Sequence, residues 1–522
     1  MSVRIEGTSA HAHRKAGERL LKTGAITFCC VLFGAAVAFG TTLVVSNTLG
    51  ESGAGIFFQL VAYFAIATAV ATFGADTGLV RTVSAALALG RQRIVGRVLA
   101  TACIPVGAAS LLVGGLLWLA ADVQEVLPGG PDGWVSDGVR LAVLCLPASA
   151  LLTAVFGALR GFHAVVTFTV LQNIVLPSLR LAGILLVLAL GAGLTHLVTA
   201  WTVPILAAAV LGVVALRREM RRSRAGQTAG QTAGEPAGYM AGQTKDRMKA
   251  EGMETVRGFW AFSGARGASS VVEVLLEWVD VIAVFILLGP AAGGIYGAVS
   301  RCVRLGAMLD HSVRMVTGPV ISSALATGDV ASARQVFSAA TRLLILGAWP
   351  FYLLLIIFGP AVMSVFGPGF ESGAPALIII GAAMLLSVSA GGVQSVLLMG
   401  GHSSWQLLNK TAALAVAVPL NLTLIPVWGI AGAATAWAAA VLVDCSLAAF
   451  QVGTVMKIAA PWRSLVLPAA LALAVFGVGG LLARLHFGPS WEGLLVAAGV
   501  GAAVYAGALA LLHRLGRITF RP

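Results

Sequence analysis

An all-helical, polytopic membrane fold of about fourteen spans is predicted by three features of this 522-residue chain. Hydrophobic residues make up 58% of it and charged residues only 11%, with a mean hydropathy of +0.93. A soluble domain carries about a quarter charged residues, so this much apolar surface needs lipid as its solvent. Apolar runs recur along the whole chain at lengths near the roughly 20 residues that cross a bilayer core. The cations collect in alternate connections, which is the positive-inside pattern.

The predicted spans run roughly over 23–46, 53–76, 98–120, 139–158, 164–190, 196–216, 258–288, 292–318, 341–365, 374–398, 404–425, 429–453, 464–484 and 492–512. The first follows a basic tail with Arg14, Lys15, Arg19 and Lys22; it exceeds a signal-peptide core in length and lacks a cleavage context, so it is read as retained. Residues 1–22 then form a cytosolic tail. With that end in the cytosol, the even-numbered connections and both tails hold most of the 34 Lys+Arg. The opposite loops contain only Arg140 and Arg484, beside Glu51, Asp122, Glu125, Asp132, Asp137, Glu371 and Glu492. Both termini are predicted to be cytosolic.

The formal charge of +13 therefore reads as topology, and nucleic acid is set aside as a partner. Six cysteines lie in apolar stretches with no CxxC or metal-ligand spacing, so they read as small packing residues. The absence of GxxxxGK[ST] means that the chain carries no P-loop of its own. With no HExxH and no carboxylate pair outside the spans, no enzyme is predicted and no cofactor is required.

The interruption over 217–257 opens with Arg217, Arg218, Arg221, Arg222 and Arg224, suited to anionic headgroups, and continues as AGQTAGQTAGEPAGYMAGQT. It is read as a cytosolic tether between two membrane lobes, 23–216 and 258–453, with 454–522 appended as two further spans and a tail. The lobes show a weak internal repeat at an offset near 236 to 240. Gly55-Ile56-Phe57 matches Gly294-Ile295-Tyr296, Thr77-Gly78 matches Thr317-Gly318, Gly161 and His163 match Gly401 and His402, and Thr199-Ala200-Trp201 matches Thr435-Ala436-Trp437. Six spans separate equivalent positions, so the copies share one orientation. Parallel repeats of this kind are a transporter plan with the substrate site between them.

Charges inside spans are costly and mark polar pathways. In span 7, Arg266, Glu273, Glu277 and Asp280 fall on one helical face; in span 8, Arg301, Arg304, His311 and Arg314 form a stripe with Asp310 at its edge. Counting outward from the turn at Gly289 to Ala291 puts Asp280 level with Arg301 and Glu277 level with Arg304, as two helix-joining ion pairs. Arg266 and Arg314 share a depth near the cytosolic side, where an anion or Asp310 would relieve their repulsion, or where both could snorkel to cytosolic headgroups. Arg180 in span 5 and Lys410 in span 11 are read as facing the cavity. Asp444, and Asp76 with Arg81, are open between helix pairing and coupling to H+ or Na+.

The stretches GTTLVVSNTLGESGAGIFF and TFGADTGLVRTVSAAL resemble the start of bacterial O-antigen-type (Wzx-like) polysaccharide flippases of the multidrug/oligosaccharidyl-lipid/polysaccharide (MOP) exporter superfamily. Gly50, Glu51, Gly53, Gly74, Asp76, Gly78 and Arg81 stand at that family's turn and Gly-rich positions. The segment LLMGGHSSWQLLNKTAALAVAVPLNLTLIPVWGIAGAATAW is similar to its tenth-to-twelfth-span region. The likeness covers most of residues 20 to 455.

The resemblance implies a V-shaped alternating-access transporter with two pseudo-symmetric six-helix lobes and a central cavity. It further implies that a polyprenyl-diphosphate-linked glycan moves from the cytosolic to the outer leaflet of a bacterial cytoplasmic membrane, with membrane lipids, glycan polymerases or glycosyltransferases as partners. Arg180, Arg266, Arg301, Arg304, Arg314 and Lys410 are the candidate contacts to the anionic cargo, and Asp76, Glu273, Glu277, Asp280 and Asp310 the candidates for pairing or ion coupling. Peptidoglycan lipid II flippases are an alternative, although span 1 is uncharged between Thr23 and Gly50 and lacks their Arg-containing motif. Cation-coupled drug antiporters, which Glu273, Glu277 and Asp280 would suit, and a non-transporting scaffold are the others.

Overall fold

The computed structural model describes residues 3–89, 94–126, 140–191, 193–231, 245–400, 403–458 and 463–515, and among them there is no strand. Helix α1 (Val3–Thr72) contains the first two expected spans, broken at Gly50 by φ 65° and ψ −170°. Such a backbone is open to glycine and strained for an L side chain, which is how GESG breaks the helix. Then follow α2 (Ala75–Ala88), α3 (Val95–Val126) and α4 (Leu146–Gly161). Helices α5 (Val165–Val170) and α6 (Leu176–Ala189) run on through a π segment, Leu171–Val175. After α7 (Leu194–Thr202), α8 (Pro204–Gln231) carries the helix through Arg217–Arg222 into the expected tether, whose residues 232–244 lie outside the described ones.

Helices α9 (Lys245–Leu288) and α10 (Pro290–Ala326) contain the charged spans 7 and 8 and meet at Gly289, whose φ of 90° is followed by Pro290 at the first helical position. Asp329 then caps α11 (Val330–Ile357) by accepting from the Ser332 amide at 2.9 Å. Next come α12 (Gly359–Ser364), α13 (Ala374–Ala390), α14 (Val393–Met399), α15 (Ser403–Trp428) and α16 (Ile430–Thr454). The chain closes with α17 (Arg463–Ala472) and α18 (Gly479–Phe487), joined by the π segment Leu473–Val478, and with α19 (Trp491–Arg514).

Ten stretches among the described residues are long and apolar enough to cross a membrane, and one of them, Ile26–Thr72, contains the Gly50 break. Helices α9 and α10 stand outside those ten, and both carry charges within the span. Large apolar side chains such as Leu111, Leu112, Leu116 and Leu119 of α3 are exposed, as a lipid-facing surface requires.

The chain divides into two compact units. The first is Met1–Thr41 with Tyr63–Val271, and the second is Thr42–Ala62 with Val272–Pro522. The break falls within α1 and within α9. In the first unit, α2 and α8 pack on α4, and Gly34 of α1 lies against the Asn173 backbone of the π segment. In the second, α16 packs on α15 and α13, and α10 on α11. Residues 42–62 are held to the rest of that unit by Asn47, whose Nδ2 donates to the Val365 carbonyl at 2.7 Å. The C-terminal helices dock on α11 and α12 through Phe476, Tyr505 and Ala497, with the Tyr505 hydroxyl donating to the Leu346 carbonyl at 3.0 Å.

Candidate functional site

In the second unit, α9, α10, α13, α15 and α16 enclose a cavity of about 300 Å³. Its polar lining comprises Glu273, Glu277 and Asp280 from α9, Ser300 and Arg304 from α10, Lys410 and Asn421 from α15, and Asp444 from α16. Leu276, Val303, Ile380, Ala413, Trp437 and Val441 supply much of the apolar wall. The structure thus brings six of the sequence-derived candidates, Glu273, Glu277, Asp280, Arg304, Lys410 and Asp444, into one site.

Both cations of this cavity are already engaged. Arg304 forms an ion pair with Glu277 and donates to the Glu277 carbonyl at 3.3 Å. Lys410 Nζ donates to Asp444 Oδ2 at 2.8 Å, in a pair that is one-quarter exposed at the lysine and one-tenth at the aspartate. Glu277–Arg304 is the pair that depth counting anticipates.

The companion bridge, Asp280 to Arg301, is not formed. Asp280 is buried and accepts from the Tyr296 hydroxyl at 2.6 Å and from the Val281 amide at 2.8 Å. Arg301 instead stacks on aromatic rings, 4.9 Å from the centroid of Trp278 and 5.8 Å from that of Phe58, while Arg304 lies 4.7 Å from Trp278. Counting along a helix fixes depth but not which neighbour fills that level, and a phenol one turn from Arg301 reaches the carboxylate. Contacts of this cation–π kind contribute about 0.5–2 kcal/mol each.

Arg314 pairs with Asp310 one turn earlier on α10, so its charge is met within its own helix. Arg266 is half-buried in the first unit, without a hydrogen bond or ion pair to another described residue. The side chain of His311, and Gly401 and His402, lie outside the described residues.

In the first unit, Asp76 sits in the opening turn of α2, where the helix dipole favours an anion, and it accepts from Arg160 Nη2 at 2.9 Å. Gly157 lets α4 come against the Asp76 backbone, and Arg160 also lies 5.1 Å from the Phe168 ring. Arg81 does not share this pair; it stacks 4.4 Å from the Phe262 ring. Arg180 stacks 3.9 Å from the Trp201 ring and donates through Nε to the Trp201 carbonyl at 3.1 Å, with no carboxylate partner among the described residues. Its remaining guanidinium donors are suited to an anion.

Sequence reasoning missed Asn421, Tyr296, Trp278, Trp201, Trp437 and Arg160. The Lys410–Asp444 pair had no depth signal: Lys410 stands 19 residues before the turn at Gly429 and Asp444 15 after it, about one helical turn apart in depth, and the long lysine side chain spans the difference. Tyr296, Trp201 and Trp437 carried only the signal of the internal repeat and Trp278 none, because tryptophan and tyrosine in an apolar helix do not stand out from packing residues.

A family model described as polysaccharide biosynthesis protein matches residues 20–325, more than half of the chain. The chain belongs to the polysaccharide biosynthesis protein family. This family member has the fold of MOP-superfamily transporters. It is similar to the lipid II flippase MurJ in an inward closed conformation, with a TM-score of 0.68 and 11% identity over 94% of this chain and 99% of that one. It is similar also to an inward-facing multidrug resistance MATE family transporter of the MOP superfamily (0.60, 14%, 83% and 98%). A third likeness is to a MOP superfamily transporter from Pyrococcus furiosus (0.52, 13%, 84% and 95%). No curated protein sequence matches the chain.

Proposed function

We propose that this family member is a flippase that moves a polyprenyl-diphosphate-linked glycan from the cytosolic to the outer leaflet of a bacterial cytoplasmic membrane, with both termini in the cytosol. The observation that carries this reading is the family match over residues 20–325 in a chain with the fold of MOP-superfamily transporters. The guanidinium groups of Arg180 and Arg301, stacked on rings rather than spent on carboxylates in hydrogen-bond contact, support it. A diphosphate drawn into a poorly solvated site needs such cations, and planar bidentate donors suit phosphate oxygens. Outward movement of negative charge across an inside-negative membrane is favourable by about 2.3 kcal/mol per charge per 100 mV, so no nucleotide is required. Glycan polymerases and glycosyltransferases on either side of this step are its natural neighbours.

The test is reconstitution of the purified protein in liposomes with a short-chain polyprenyl-diphosphate disaccharide, scored by access of an external sugar-modifying reagent. Protein-dependent movement that falls at least tenfold in Arg180→Ala is the expected result. Equal movement of a neutral glycolipid, or an unaffected Arg180→Ala, contradicts the assignment.

A further inference from the structure

The cavity of the second unit has the wrong polarity for a diphosphate. Four carboxylates line it, Glu273, Glu277, Asp280 and Asp444, against two cations, Arg304 and Lys410, and each cation is already paired. Two further acceptors lie buried on residues of its wall. Asn421, 2% exposed, donates its Nδ2 to the Ala417 carbonyl at 2.9 Å, and its Oδ1 has no partner. Asp444, 7% exposed, spends Oδ2 on Lys410, and its Oδ1 has none. Buried acceptors without donors are costly, so the site as built asks for a ligand that brings both hydrogen-bond donors and positive charge.

A bare metal ion does not meet the shape. Among the described residues no three of His, Cys, Asp and Glu converge closely enough to hold one. A cavity of about 300 Å³ lined by carboxylates together with apolar and aromatic side chains fits an organic cation of small size. Trp437 offers the ring on which an ammonium or the C–H face of a sugar can rest. We infer that this cavity seats a protonated amino sugar of the cargo glycan, its ammonium and hydroxyl groups donating to Asp444, Asn421 and Glu273 and its ring resting against Trp437. The inference rests on the flippase reading and adds to it a substrate class, a glycan carrying a free amine, held apart from the diphosphate.

The experiment is equilibrium binding of radiolabelled glucosamine, N-acetylglucosamine and glucose to the purified full-length protein in detergent. These probes differ only at one ring position. Glucosamine is expected to bind at least tenfold more tightly than the other two, and Asn421→Leu and Asp444→Asn each to weaken it at least tenfold. Trp437→Phe is expected to retain more binding than Trp437→Ala. Where Asp444→Asn loses its fold with the Lys410 pair, Asn421→Leu carries the test. Equal retention of all three sugars, or no retention of glucosamine, overturns the proposal. The two readings also fail separately: a lipid-linked glycan without a free amine that accumulates in cells lacking the protein leaves the flippase standing and removes the amino-sugar pocket.

Discussion

Gly55 and Gly294 lie backbone to backbone in a reciprocal contact. A Cβ on Gly55 would collide with the Pro290 carbonyl and the Gly294 amide, and a Cβ on Gly294 would collide with the Glu51 carbonyl and the Gly55 amide. Glu51 and Pro290 are separated by the same number of residues as Gly55 and Gly294, and so are Phe58 and Gly297, which also meet. Exchange of this kind is the signature of a local two-fold axis, which here relates the part of α1 after Gly50 to the start of α10.

Because backbone atoms cannot swing away, a side chain at either glycine must push the helices apart. Gly55→Val and Gly294→Val are each expected to destabilise the protein by about 1–3 kcal/mol and, by symmetry, to a similar extent. Thermal unfolding of the two variants in detergent checks this; tolerance at one position and collapse at the other would deny the axis.

The Asp76–Arg160 pair joins α2 to α4 in the first unit. If its role is pairing, Asp76→Arg with Arg160→Asp restores transport lost in either single variant, and a double-mutant cycle on stability returns a coupling of about 1 kcal/mol. Continued loss in the swapped protein would assign Asp76 to ion coupling instead.

Lys410 and Asp444 form a pair within the wall of the acidic cavity. Removal of one partner of a buried pair costs about 3–5 kcal/mol, whereas its replacement by packed apolar side chains is close to neutral. Lys410→Met alone is therefore expected to lower the melting temperature far more than Lys410→Met with Asp444→Leu, as measured by heating both in the same detergent.

Arg180 combines a stacked plane with a carbonyl contact to Trp201, which lysine cannot reproduce. Arg180→Lys keeps the charge and is expected to leave insertion intact while lowering transport about tenfold, since bidentate contact to phosphate is lost. Full transport in that variant would show that charge alone suffices.

Much of this was legible in the chain. Apolar run length located the long helices, though among the described residues ten stretches rather than fourteen are long and apolar enough to cross a membrane. The Gly-acidic-Gly turn located the break at Gly50, and depth counting paired Glu277 with Arg304. Partners fixed by rotation about a helix axis were not legible. Asp280 meets Tyr296 instead of Arg301, and Arg301 meets Trp278 and Phe58, since ring and carboxylate compete for a guanidinium at the same level. The cavity itself escaped notice because Asn421, Trp437 and Asp444 converge on Glu273 from helices far apart in sequence, and an asparagine in an apolar span carries no mark of which way it faces.

The central claim is best tested by mass spectrometry of polyprenyl lipids from host cells with and without the protein. Accumulation of a polyprenyl diphosphate bearing an oligosaccharide in its absence is the expected result, and the attached glycan then identifies the cargo. Accumulation of lipid II would transfer the activity to peptidoglycan synthesis, and a lipid pool that does not change would contradict the flippase assignment.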